Sequence, residues 1–600
     1  MSRTAPRGRG RQRRALALAP ILALCAGPAA AEPAADAEAD QMPVDPPEIV
    51  AAPWLVLSGA GDLAAGLAAR SAALAGDGSQ FTLDGLADRR WLVTRDRMRL
   101  FGPTDGGLSS AALPLALFLD ERIAVQAGPG PGPDGDAALG GAVAIERARR
   151  RQPAGAQAAT EVRVGSTTRS RAALAAGSDS GLLAADVAAF ADRDQARVAA
   201  ADALRASGAR GRLALGLASQ AQLGLECEAT ALAAGAARQQ RSLLRFDSTL
   251  SLQPGQVLRL DLVRQGLIDR PGGGSDGTAL DETALRAGYQ GQLVVGHFVD
   301  LAVTGGVQSA RRPATAISVA SPHRAAAAIV ASDDWRIRPK LWLRASGSLG
   351  FDDLVGGLVA GRVALRYEPA RAVVLRGVVG TGQRAPTLEE RAYASGALSG
   401  PELDHVPTLR PEESRGYRLS AGFEPRSDGF ARITLLRTDL NDLIEPIAER
   451  EESLSDLRRY RNIGRLHVQG LAFDLVALRL AGGIGVDLAY RWLFDARDDR
   501  TGRPLANRPE HLANVLVRWE LAALGTQLFV HTRLLREHVG AADGSLAPLA
   551  AVDAGMQLAV LDALDVVIAV DNAAGSAGRP AMPLPERAAR VALRVRSGGW

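Results

Sequence analysis

The sequence predicts an all-β chain with a small α+β domain at its N-terminal side, the β part being an antiparallel transmembrane barrel of about 22 strands. Three observations carry that prediction. Beyond residue 150, apolar and polar residues alternate at period two between turn clusters, and helical periodicity nearly disappears. The alternation continues to the end of the chain without a linker, far past the ~100 residues of one sandwich domain. No run of 18 apolar residues occurs after the first 31 residues, so no membrane-spanning helix is encoded there.

Residues 1–31 hold six arginines and no acid, an apolar run from Ala15 to Ala26, and Ala29-Ala30-Ala31 before Glu32. That order reads as a secretory signal peptide cleaved after Ala31. A lipoprotein attached through Cys25 is the second reading, with Leu24 filling a position that wants a small residue. Residues 32–47 are Ala, Asp, Glu and Pro without periodicity, which reads as a disordered tether.

Residues 48–150 are mixed. An extended Trp54 to Leu57 precedes a helix-like stretch at 62–75, and short apolar runs follow at Phe81 to Leu83, Trp91 to Val93 and Ile123 to Val125. From 151 to 600 the strands show one logic. Leu341, Leu343 and Ala345 face opposite to Trp342, Arg344 and Ser346, and Val591, Leu593 and Val595 face opposite to Arg590, Arg594 and Arg596. Turn clusters such as Gln253-Pro254-Gly255, Pro271 to Gly274 and Arg426 to Gly429 separate them. In lipid every backbone N–H and C=O needs a partner, and a closed barrel provides one without helices.

Composition narrows the function. Lys and Arg total 70 against 66 acids, but without the leader the balance is 64 to 66, which argues against a nucleic-acid binder. Two cysteines, Cys25 and Cys227, leave a mature chain with one thiol, no internal disulfide and no Cys-rich zinc site. His405, His467, His511, His531 and His538 are too scattered for a metal motif, and no catalytic constellation is visible.

Four stretches resemble the TonB-dependent outer-membrane receptors. Pro47 to Ala51 resembles the TonB box, with Glu48, Ile49, Val50 and Ala51 as the segment that pairs as an added strand with the energy-transducing partner. Arg122 to Pro129 followed by Ala138 to Ile145 is similar to the closing signature of the plug domain, carried by Arg122, Gly128, Pro129, Gly140 and Gly141. Ala124 stands where the family commonly has Glu, and a Gly/Pro/Asp run fills 130–135. Gln383 to Glu390 continuing to Pro407 to Ser414 resembles the mid-barrel motifs around one extracellular loop, with Arg384, Ala385, Pro386, Pro411 and Glu412 as the matching residues. Val570-Asp571-Asn572 with Pro583-Leu584-Pro585 resembles the family C-terminus, although Ser597-Gly598-Gly599 puts Trp600 out of phase with Val595.

The resemblance implies a signal peptide at 1–31, a tether at 32–47, a TonB box and plug at 48–150, and a barrel at 151–600 that the plug occludes. It implies a monomer in the outer membrane of a Gram-negative bacterium, bound by outer-membrane lipid and by TonB. The expected cargo is a scarce small metal chelate, an iron-siderophore, haem or cobalamin. Haem or chelated iron enters only as transported ligand, with no intrinsic cofactor. In haem-uptake members a His and a Tyr in the loop region bind iron, which singles out His405 and Tyr393.

Two other classes stay open. Aromatics are only 4% of the chain, fewer than interfacial girdles normally use, which suits a passive or vestigial porin-like barrel. Gly59-Ala60-Gly61-Asp62 with Asp84 after a second extended run imitates a dinucleotide fingerprint, the basis for an exported enzyme with such a domain at 54–84.

Overall fold

The structure, a computed structural model, describes residues 48–51, parts of 74–99, residue 118, residues 121–131 and 138–147, and 154–598 with interruptions. The longest interruptions are 197–203, 271–277, 312–322, 391–408, 449–457, 540–544 and 576–586. The leader, the tether, Trp54 to Leu57, the Gly59 to Asp62 loop, Tyr393, His405 and Trp600 lie outside the described residues.

Twenty-two long strands, from Ala154–Val164 to Ala588–Gly598, form a closed barrel in which each strand pairs antiparallel with its neighbours in sequence. The last strand closes on the first, with Ala589 opposite Val164 and Gly598 opposite Gly155. A two-residue strand, Ser545–Leu546, pairs beside Thr526–Val539 and adds nothing to the ring. Closure pairs the backbone all round and leaves no edge. At one end of the barrel no connection is longer than the one at 424–429, while the long connections, including 385–411 and 449–457, leave the other end.

The strand Gly356–Ala370 shows how side chains divide. Leu358, Ala360, Arg362, Ala364 and Arg366 are buried, and Val359, Val363, Leu365 and Tyr367 between them are exposed. The last strand repeats this, with Arg590 and Arg594 inside and Val591, Leu593 and Val595 outside. Hydrocarbon on the outer face and charge on the inner face is the inverse of a soluble core, and it suits a wall between lipid and a polar lumen. Trp342 is buried on the lumen side with Ala364 and Val378, with the Arg336 and Arg366 guanidiniums over its ring.

At the short-turn end, Arg376 holds Glu424 with two donors, one at 2.6 Å. Burial alone would raise the Glu424 carboxyl, but the hydrogen bonds and charge of Arg376, with Arg432 and Arg366 nearby, hold it below the usual carboxylate range.

A five-stranded sheet precedes the barrel, in the order Glu48–Ala51, Glu121–Ala127, Gly141–Arg147, Trp91–Arg95, Met98–Arg99. Only the pairing of Trp91–Arg95 with Gly141–Arg147 is parallel. Leu92, Val93, Ile123, Val125, Val143 and Ile145 are buried in it. One expectation is corrected here. Leu74 and Ala75, the end of the helix-like 62–75 stretch, belong to the strand Leu74–Gly76, which pairs antiparallel with Phe81–Leu83 and through it with Leu86–Ala87. Ala and Leu are strong helix formers, so the pairing with Phe81–Leu83 overrides local propensity there. The same meander bears on the dinucleotide reading, since Phe81–Leu83 has antiparallel partners on both sides where that fingerprint needs a parallel βαβ unit.

Candidate functional site

The five-stranded sheet is held against the lumen wall at opposite sides. On one side Arg95 is ion-paired with Glu228 and Arg147 with Glu226, while Arg210 and Arg95 lie over the Phe118 ring at 4.5 and 5.5 Å. Phe118 packs edge-on against Phe190 among Ala173, Ala175, Ala188 and Ala206. On the other side Leu139 is fully buried among Leu436, Leu440, Leu443, Leu466, Val468 and Leu493. The described part of the domain is therefore seated inside the barrel, where the resemblance expects the plug.

Two of the sequence motifs meet at that second side. Arg384, at the end of Val373–Arg384, donates from Nε to Glu412 Oε2 at 2.7 Å and from its two terminal nitrogens to Glu390 at 2.9 and 3.1 Å. Glu412, at the start of Glu412–Phe423, also accepts from the Ile444 N–H at 2.8 Å and lies 3.7 Å from Arg90 of the plug. All four charged groups are buried, two cations against two carboxylates. Such a set is costly to desolvate and holds only while every member keeps its partner. The Arg90 carbonyl in turn accepts from the Gly140 N–H at 2.7 Å, so the plug-closing and mid-barrel motifs share one network.

Ala385 is buried beside Arg384, and Thr387 and Glu390 form a reciprocal cap. The Thr387 N–H donates to Glu390 Oε2 at 2.8 Å, and the Glu390 N–H donates to Thr387 Oγ1 at 3.1 Å. Pro386 is buried in this corner, and Pro411 lies directly before Glu412. The Thr-x-x-Glu spacing is a capping-box signal that would have marked Thr387 and Glu390 in the sequence. At the far foot of the long connection, the Asn462 side chain accepts from the Arg410 N–H and donates to the Arg410 and Asp442 carbonyls, all at 2.7–2.8 Å.

A second contact involves the plug apex. Arg362 on Gly356–Ala370 donates to three successive plug carbonyls, Ala127 at 3.1 Å, Gly128 at 3.2 Å and Pro129 at 3.0 Å. Pro129 rests over Gly380 and Gly416, which face each other on adjacent strands, and a Cβ at either position would overlap it. Gly128 has φ +85°, which lets the chain turn back so that its N–H reaches the Gly140 carbonyl at 2.9 Å.

Glu48 to Ala51 form the edge strand of the plug sheet, paired to Glu121–Ala127 with Glu48 opposite Val125 and Ala51 opposite Arg122. Sequence reasoning missed Arg90, Arg362, Gly380 and Gly416, and it met Asn462 within a family-like strand stretch without giving it a role. Only Asn462, in Tyr460 to Gly464, lies in a stretch whose pattern stands out.

The family described as TonB dependent receptor-like, beta-barrel, matches residues 159–572. A curated relative, the iron-regulated outer membrane virulence protein of Vibrio cholerae, is 25% identical over 256 residues. That match spans 40% of this chain and 39% of the relative's length. Among solved structures, the ferric enterobactin receptor of Pseudomonas aeruginosa in complex with enterobactin superposes with a TM-score of 0.76 at 14% identity, covering 92% of this chain and 99% of that one. The siderophore receptor PirA of Acinetobacter baumannii gives 0.74 at 12%, covering 92% and 98%. The family match over most of a closed 22-stranded barrel with a domain seated in its lumen establishes that this chain belongs to the TonB-dependent receptors of the outer membrane.

Proposed function

We propose that the protein takes up a scarce ferric chelate of the siderophore class by energised rearrangement of its plug. The observation that carries this reading is the way the plug is held. A lumen domain tied to its wall by ion pairs and short apolar contacts, with a four-residue edge strand at its N-terminal side, can be displaced without opening the barrel. In this reading residues 1–31 are the signal peptide, 32–47 the tether, 48–150 the box and plug, and 151–600 the barrel, acting as a monomer. TonB pairs with Glu48 to Ala51 as an added strand. Several structural relatives are named as siderophore receptors, which favours that class over haem or cobalamin.

Deleting residues 48–52 is expected to leave binding of iron-55 ferric enterobactin to whole cells unchanged and to reduce its uptake to the level of a receptor-null strain. Unchanged uptake by the deletion strain would remove the box from the mechanism. Uptake that persists after the inner-membrane proton gradient is collapsed would favour the passive barrel, which the sparse aromatic content also suits.

A further inference from the structure

We propose that Arg362, Gly380 and Gly416 form a fixed seat for the plug apex, so that a pull on the Glu48–Ala51 strand peels that strand away and stops at Pro129. The proposal rests on the energised reading above and assigns positioning roles that the two motifs do not contain.

The seat combines two independent restraints. Arg362 is buried and spreads its guanidinium over three carbonyls in a row, a planar fork that a lysine ammonium cannot reproduce. Bonds from a charged donor are roughly twice as strong as neutral ones. The second restraint is shape. Gly380 and Gly416 stand opposite each other in the ladder, and Pro129 occupies the space that a side chain at either would fill. A ring wedged in a slot resists sliding as well as separation.

The load path meets this seat directly. The edge strand is antiparallel to Glu121–Ala127, so Glu48, the residue nearest the pull, lies opposite Val125, two residues from Ala127. Four backbone register pairs hold the edge strand, and the charged fork begins two residues beyond the first of them, Glu48 with Val125. Under tension the pairs open one at a time from Glu48, while Ala127 to Pro129 stay on the wall. The Gly128 turn and its bond to Gly140 then keep Glu121–Ala127 and Gly141–Arg147 together.

A disulfide tests this without any ligand. A Cβ built at Gly130 lies 3.7 Å from the Arg362 Cβ, inside the range a disulfide spans. Full-length protein with Gly130→Cys and Arg362→Cys, in a Cys227→Ser background, is reconstituted in vesicles of outer-membrane phospholipid. It is then pulled from a handle placed before residue 48. The proposal expects the first rupture to release the same length of chain in the oxidised protein, where the disulfide replaces the fork, as in the Arg362-containing protein, and to run further in a fraction of pulls of the reduced protein, which has neither. A first rupture that releases more chain in the Arg362-containing protein than in the oxidised one would show that the apex leaves the wall with the fork intact, and would overturn the proposal. Arg362→Lys is expected to let the first rupture run past residue 129 in a fraction of pulls, and a released length unchanged in every pull would deny the fork its role. Folding is checked for each variant by its heat-modifiable band. Failure of the energised reading would show instead in the uptake assay, with the rupture pattern intact.

Discussion

Replacing Arg384 with alanine is expected to destabilise the folded protein by about 3–5 kcal/mol, the scale for removing one partner from a buried ion pair. The substitution strands Glu390 and Glu412, each 1% exposed, and leaves Arg90, 3.7 Å from Glu412, as the remaining cation of the network. Two buried carboxylates sharing one distant cation must protonate or draw in water, and both routes loosen the corner where the plug meets the barrel. The measurement is the temperature at which the folded band converts to the unfolded band on a gel. It should fall for Arg384→Ala and recover substantially when Glu390→Gln is added to Arg384→Met, because the double variant keeps one buried carboxylate, Glu412, against one buried cation, Arg90. An unchanged midpoint for Arg384→Ala would mean that the network contributes nothing to stability. The same midpoint for the alanine and double variants would mean that stranded charge is not the cause of the loss.

The second large effect lies on the opposite face of the wall. Val363 is the middle residue of Gly356–Ala370 and points outward. Arginine there should cost about 2–4 kcal/mol, as charged substitutions do on the lipid face near the bilayer midplane. Alanine at the same position should cost much less, since the outer face meets fluid acyl chains and no fitted cavity is left. Urea titrations of the two variants in lipid vesicles compare them. Equal stability of Val363→Arg and wild type would mean that this face meets water.

The barrel was legible because its rule is local. A period of two fixes which side of each strand meets lipid, and chain length divided by a strand with its turn gives the number of strands. Trp342, Arg344 and Ser346 could be set against Leu341, Leu343 and Ala345 on that basis alone. The plug was legible only through resemblance, and its last helix-like residues, Leu74 and Ala75, pair in a sheet. The seat was not legible at all. Arg362 and Gly128 are 234 residues apart, and nothing near either announces the other. Gly380 and Gly416 are two of 65 glycines, and what distinguishes them is Pro129 lying across them, which only three dimensions show. The Arg384 corner falls between these cases. Its residues lie within recognisable motifs, and the Thr387 to Glu390 spacing carries a capping signal, but the Arg90 contact joins segments far apart in the chain.

The central claim is that the outer face of these strands meets acyl chains. Nitroxide labels placed one at a time from Leu358 to Tyr367, in a Cys227→Ser background and in lipid vesicles, test it directly. Collision with dissolved oxygen should be high at Val359, Val363, Leu365 and Tyr367 and low at Leu358, Arg362, Ala364 and Arg366, with a water-soluble nickel reagent failing to reach the first set. Oxygen collisions that peak at the second set, or nickel access at Val363 and Leu365, would contradict it.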